Sequence, residues 1–79
     1  MRYFFDTHDE GRVIHDDDGL ELADIDEVKS IAAKSLAELA LDVLPSSSER
    51  CLGVDVRDED QQAVLTTELT FKSVLKTAL

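Results

Sequence analysis

One apolar stripe constrains the fold of this chain more than any other feature. It recurs every three or four residues over positions 25–43, which places it on one side of an α-helix because a helical turn takes 3.6 residues. The stripe consists of Ile25, Val28, Ala32, Leu36, Leu39 and Val43. A helix with one apolar side needs a surface to cover, and the segments on both sides of it alternate between apolar and polar residues as strands do. The sequence therefore predicts a small sheet covered by one helix.

The signals at both ends of the stripe predict a helix over residues 24–44. Asp24 suits the N-cap position, and Glu27 follows three residues later as in a capping box. The body is rich in alanine, leucine, lysine and glutamate, which lose little entropy in a helix. Pro45 then ends the helix.

The N-terminal segment predicts a β-hairpin over residues 2–15. Three consecutive aromatic residues near its start favour a strand, and Gly11 supplies the left-handed backbone of a tight turn. If the turn centres on Glu10, Ile14 shares one face of the sheet with Phe4. A bulge at the glycine would shift this pairing by one residue. The alternative is a register slip that turns Phe4 inward, towards the helix.

A second hairpin is predicted over residues 51–72, where apolar and polar residues alternate on both sides of the acidic turn 58–62. Together the elements make one domain over residues 1–79. We predict an α+β fold with two layers in the order ββαββ. A four-stranded, mainly antiparallel sheet is covered on one face by a single long helix. Residues 73–79 fit either a disordered tail or one helical turn.

Four segments follow one another along the chain in a recognisable order. They are RYFFD at 2–6, DDGLEL at 17–22, AELA at 37–40 and VDVRDED at 54–60. In this order they resemble a family of small uncharacterised domains of rhizobia and related alphaproteobacteria, known only as a domain of unknown function. The resemblance covers nearly the whole chain and implies a short stand-alone cytoplasmic protein, with no known activity and no catalytic residues. The chain departs from the family at Gln61, where the family favours glycine.

The charge balance restricts the partners that this chain can bind. Eighteen acidic residues against eight basic ones give a net charge of −10, which repels phosphate backbones and argues against direct nucleic-acid binding. A basic protein partner is compatible with it. The lone Cys51 fits a reducing compartment, and no signal peptide or membrane span is visible. We therefore expect a cytoplasmic protein.

Two histidines and several carboxylates near the first hairpin raise the question of a metal site. The Asp16–Asp18 turn does not fit the calcium-loop pattern, because placing Gly19 at its sixth position puts Ile14 at the first. Zinc sites use closer spacings than that between His8 and His15. We therefore assign no metal ligand and no cofactor, and weak divalent-cation binding at the Asp16–Asp18 turn stays an alternative.

The sequence contains no recognisable catalytic group. Arg50 next to Cys51 favours a thiolate, but no histidine with a supporting acid is identifiable as its partner. Ser46–Ser48 lack the flanking glycines of a nucleophile elbow. One helix on a thin sheet can hardly enclose a pocket of several hundred Å³. We expect no enzymatic activity and name no catalytic residue.

The sheet face away from the predicted helix is the best candidate for an interaction surface. In the pairing above it presents two large apolar residues among small ones, which suits a contact between sheets. The candidate interface residues are Phe4, Ile14, Thr66 and Thr70. We expect a small acidic interaction or accessory protein that forms a homodimer through this face or through an edge strand. An alternative is an acidic regulator that mimics nucleic acid and masks a basic surface of its partner.

Overall fold

The computed structural model describes residues 1–77 as one α-helix against an open antiparallel sheet of five strands. The α+β class, with one helix between two hairpins, is confirmed. The four-strand order ββαββ is wrong, because a third short strand precedes the helix and makes the order βββαββ. The elements are β1 (Arg2–Asp9), β2 (Arg12–Ile14), β3 (Leu20–Glu21), α1 (Ile25–Val43), β4 (Glu49–Asp58) and β5 (Ala63–Lys72).

The N-terminus of α1 is capped as its sequence predicts. The Asp24 carboxylate accepts the backbone N–H of Glu27 at 2.9 Å, which satisfies one of the free amides in the first turn. The Glu27 carboxylate reaches back and accepts the N–H of Ala23 at 2.8 Å. At the other end, Pro45 lies in a single 3₁₀ turn, Leu44–Ser46, that follows the helix.

The core lies between α1 and the two long C-terminal strands. The helix packs chiefly on β4 and β5 and reaches β1 less. Its cover over this face of the sheet is therefore partial. The buried apolar residues are Val28, Ala32 and Leu36 from the helix and Leu52, Val54 and Val56 from β4. Ile25, the first residue of the stripe, is 48% exposed, so the buried part of the stripe begins at Val28.

The strand order is β2-β1-β4-β5, with β3 beside β1 as well. Thus β2 and β3 share the outer side of β1. β2 pairs with its C-terminal end, and β3 pairs with Arg2 and Tyr3 at its start. β3 is absent from the sequence prediction because two residues are too few to show a strand alternation.

The first hairpin has a different register from the one predicted. Glu10 and Gly11 both have positive φ, at 52° and 84°, which gives a two-residue turn of the type that suits tight hairpins. Ile14 consequently pairs with Thr7 and shares its face, whereas Phe4 belongs to the opposite face. The predicted placement of Ile14 beside Phe4 is therefore wrong.

Residues 73–77 have no helical turn. The Ser73 N–H donates to the Ser48 carbonyl at 2.7 Å, which continues the pairing of β4 and β5 by one step. Residues 78 and 79, the last part of the predicted tail, lie outside the described residues. Within residues 1–77, no helix combines the length and the hydropathy that crossing a bilayer requires.

Candidate functional site

A buried ion pair ties the first and fourth strands together on the face away from α1. The Asp6 side chain is the buried charged group of this face, and Arg57 Nε donates to its Oδ2 at 2.9 Å. The Arg57 guanidinium also donates to the Asp16 carbonyl at 2.9 Å and lies 4.6 Å from the centre of the Phe4 ring. Arg57 thus connects β4 with β1 and with the loop that contains Asp16. These charge-assisted hydrogen bonds compensate for the burial of the ion pair.

The Asp16 carboxylate fills the gap between β2 and β3 along the outer side of β1. Its Oδ2 accepts the Phe5 N–H at 3.1 Å, where no strand is present to accept it. Its Oδ1 accepts the N–H groups of Asp18 and Gly19, both at 3.1 Å. We call this side of β1, with β2, β3 and the loop 15–19, the closed edge, because a side chain completes the hydrogen bonding that the strands leave open.

The electrostatics of the closed edge favour ionised carboxylates. Burial by itself raises the pKa of Asp6, but hydrogen bonds from Arg57 and the Asp16 amide and the charges of Arg57 and His15 outweigh it. The pKa of Asp6 is therefore lowered. For Asp16, burial again raises the pKa, and the three backbone N–H groups lower it further than burial raises it. Both groups therefore stabilise the fold as carboxylates.

The two histidines do not converge on one site. The His8 ring lies against Gly53 on β4, where a Cβ would collide with it, and its Nε2 is 3.8 Å from Asp55. His15 Nδ1 is 3.6 Å from Asp6 instead. Among residues 1–77, no group of three or more histidine, cysteine, aspartate or glutamate side chains is placed to hold a metal ion. The Asp16 oxygens are occupied by backbone amides.

The four predicted interface residues are not all brought together. Phe4, Thr66 and Thr70 share the face away from α1, but Ile14 does not. Phe4 is half-buried under Arg57, and the Thr66 hydroxyl donates to Asp55 at 2.8 Å. This face is a polar network rather than an apolar patch, so it suits a contact between two sheets poorly.

Cys51 and Ser47, the side chains that could supply a nucleophile, lie in β4 and directly after the 3₁₀ turn. Cys51 is exposed and pairs across the strands with Thr70. The Ser47 hydroxyl donates to the Val43 carbonyl at 2.6 Å, which satisfies a free acceptor at the end of α1. Ser47 therefore caps the C-terminus of α1.

The opposite edge of the sheet is the ten-residue strand β5, and no strand within residues 1–77 pairs with its outer side. We call this side the bare edge. Since Ser73 donates to Ser48 and hydrogen-bonded pairs alternate along an antiparallel ladder, Phe71 and Leu69 also bond to β4. Thr70 and its neighbours two residues away, Glu68 and Lys72, therefore direct their backbone N–H and C=O groups outward.

An open apolar groove of about 620 Å³ lies beside the bare edge. It is formed by the C-terminal half of α1 and the end of β5, and its lining residues are Ala37, Ala40, Leu41, Leu44, Pro45, Leu69 and Phe71. We call it the α1–β5 groove. Leu41 is 77% exposed there. The sequence analysis missed the groove, although a second apolar row at helical spacing, Ala33, Ala37, Leu41 and Leu44, indicates it.

Comparison with known proteins identifies one relationship. The family model of a domain of unknown function, DUF6894, matches residues 2–70. No curated protein and no solved structure matches the chain significantly. The match covers β1 to β4 and α1 in full and β5 as far as Thr70, and it assigns no chemistry to any residue.

Proposed function

Because the chain belongs to DUF6894, a family of domains of unknown function, we propose its function from its surfaces. It is a small, non-catalytic interaction protein of the cytoplasm that acts as a homodimer, and the two copies meet along the bare edge. The narrower distribution of the family, in rhizobia and related alphaproteobacteria, is part of this proposal.

The observation that carries the proposal is the bare edge with the α1–β5 groove beside it. An unpaired strand of ten residues offers a row of backbone donors and acceptors to another chain. Natural edge strands usually avoid this with proline, bulges or inward charges, and the stretch from Leu65 to Lys72 has no proline and no register shift. The exposed Leu41 adjoins this row. Backbone pairing and apolar burial are thus available at the same place.

The distribution of charge also favours this surface for self-association. A net charge of −10 opposes the approach of two copies. However, residues 64–79 hold one acidic residue, Glu68, against two lysines, Lys72 and Lys76. The repulsion between copies is therefore smallest when they approach through β5.

The groove is better suited to a protein surface than to a small ligand. Small-molecule sites combine an apolar enclosure with a few polar groups that fix the orientation of the ligand. The residues that line this groove are all apolar, and the groove is open to solvent along the strand. A flat apolar surface from a second chain is the occupant that such a lining can bind.

Sedimentation velocity over micromolar to millimolar concentrations tests the proposal. We expect a concentration-dependent dimer for the wild type and a monomer for Thr70→Pro, because proline removes an outward N–H at the bare edge without breaking the bonds to β4. Leu41→Lys should weaken the dimer, since it places a charge in the groove. Ile14→Lys is the matched control: Ile14 is 69% exposed on β2, at the closed edge, and its replacement should leave the dimer unchanged.

The salt dependence of association separates this proposal from the acidic mimic of nucleic acid. A dimer held by backbone hydrogen bonds and apolar burial should persist at 500 mM salt, whereas binding of a basic partner by charge should be lost. A wild-type chain that stays monomeric at millimolar concentration would contradict the proposal.

A further inference from the structure

We infer that two copies pair β5 with β5 in antiparallel orientation about a two-fold axis at Thr70, so that Glu68 of each copy lies opposite Lys72 of the other. This inference rests on the proposed homodimer and specifies its register. Three independent features of the bare edge support it: the direction of the backbone groups, the positions of the charges, and the apolar side chains on the helix side.

The backbone groups of the bare edge are placed to form hydrogen bonds in this register. A two-fold contact between identical antiparallel strands of one sheet places one residue opposite its own copy. Thr70 directs its N–H and C=O outward, so Thr70 opposite Thr70 makes a hydrogen-bonded pair. In the same register, Glu68 and Lys72 form the next hydrogen-bonded pairs on both sides of the axis.

The charges distinguish this register from its neighbours. β5 has one acidic and one basic residue, Glu68 and Lys72, and both are exposed. An axis at Thr70 sets these two opposite each other twice in the dimer, with the side chains on the face away from α1. An axis at Glu68 would instead set two carboxylates opposite each other. Opposite charges across strands stabilise the pair and like charges destabilise it.

The apolar residues of the other face fit the same axis. In this register Leu69 lies opposite Phe71 of the second copy, and both residues line the α1–β5 groove. The grooves of the two copies therefore meet across the axis and form one continuous apolar surface. Leu41, which is 77% exposed in the monomer, lies at this junction.

The segment after β5 extends the pairing. Thr70 is the midpoint of residues 63–77, so an axis there aligns the segment 73–77 of each copy with the start of β5 in the other. Leu75, which is 73% exposed, then lies opposite the half-buried Leu65 on the helix side. An axis at Glu68 would instead set Leu75 opposite Gln61.

A charge-exchange experiment tests the register. Glu68→Lys alone creates two Lys–Lys contacts per dimer, and Lys72→Glu alone creates two Glu–Glu contacts. Each variant should dimerise at least about tenfold more weakly than the wild type. A mixture of the two should form a heterodimer of nearly wild-type strength, because every charged position then faces its opposite. Native mass spectrometry or energy transfer between labelled chains measures the mixture, and circular dichroism checks that each variant folds.

A disulfide experiment tests the axis without altering charge. In a Cys51→Ser background, Thr70→Cys should form an intermolecular disulfide, since paired Cα atoms about 5.5 Å apart lie within the range that a disulfide spans. Thr66→Cys is the matched control on the same edge. In this register it lies about 27 Å from its own copy and should not crosslink.

The outcomes separate the register from the proposed function. A wild-type dimer that Thr70→Pro abolishes, together with charge variants that are not restored by mixing and a Thr70→Cys variant that does not crosslink, would overturn the register and leave the homodimer intact. A wild-type monomer would overturn both. Crosslinking of Thr66→Cys in place of Thr70→Cys would move the axis and also refute the inference.

Discussion

The two edges of the sheet are built in opposite ways. The closed edge has strands of three and two residues, and between them the Asp16 carboxylate accepts the Phe5 amide. The bare edge is one strand of ten residues. Short strands and inward-pointing charges are among the means by which proteins prevent pairing at a sheet edge. One edge of this protein has them, and most of the other does not, which is why we propose that a second chain pairs at the bare edge.

The protection of the closed edge depends on a few polar contacts, so it can be broken by single substitutions. The largest effect is expected for Asp6→Ala, which leaves the Arg57 guanidinium without its partner in a half-buried position. Breaking such a pair should lower the free energy of unfolding by about 3 kcal/mol. Urea unfolding followed by circular dichroism measures it. Asp17→Ala, at an exposed position of the same loop, is the control and should change stability by less than about 0.5 kcal/mol.

Asp16→Ala should have the next largest effect. It removes the acceptor of three backbone N–H groups, and we expect a loss of about 2 kcal/mol, since unsatisfied amides cost free energy. Hydrogen exchange of the Phe5 amide gives a local measurement, and this amide should exchange faster in the variant. If Phe5 stays as protected as in the wild type, the carboxylate does not close this edge.

Acid should weaken the closed edge more than the bare edge. The pKa values of Asp6 and Asp16 are lowered in the folded state, so their contribution is present above the unfolded pKa of about 3.9 and is lost as the pH falls below it. Unfolding free energies measured from pH 6 down to pH 2.5 should decline most steeply below about pH 4. Asp6→Asn should flatten this decline, and an unchanged profile in that variant would contradict the assignment.

The smallest predicted effect on stability concerns the turn between β4 and β5. Gln61 has a φ of 65° there, a left-handed conformation that glycine adopts without strain. Gln61→Gly should stabilise the chain by about 0.5 kcal/mol, because relief of strain exceeds the loss of an exposed hydrogen bond to Arg57. Thermal unfolding measures it. Glu10→Gly is the matched variant in the turn between β1 and β2, where Glu10 has a φ of 52°.

The helix and its buried side could be predicted from the sequence because the periodicity of the stripe extends over five turns, and Val28, Ala32 and Leu36 are buried as expected. The register of the first hairpin could not, because it depends on one turn in which Glu10 adopts a positive φ. A shift of one residue then moved Ile14 to the other face.

The candidate surface was predicted only in part. An edge strand was among the expected routes to a homodimer, but the apolar surface was assigned to the face away from the helix. The polar character of that face could not be predicted from the sequence, because the network of Asp6, Arg57 and Asp16 joins residues up to 51 positions apart. The α1–β5 groove depends on where the C-terminal half of α1 lies against β5, which the helix periodicity does not specify.

The asymmetry between the edges also limits the size of any assembly. If two copies join through β5 as proposed, both outer margins of the combined sheet are closed edges, and these offer a third copy only the three residues of β2 and the two of β3. The same backbone attraction that in other proteins propagates into fibres would here terminate at a pair.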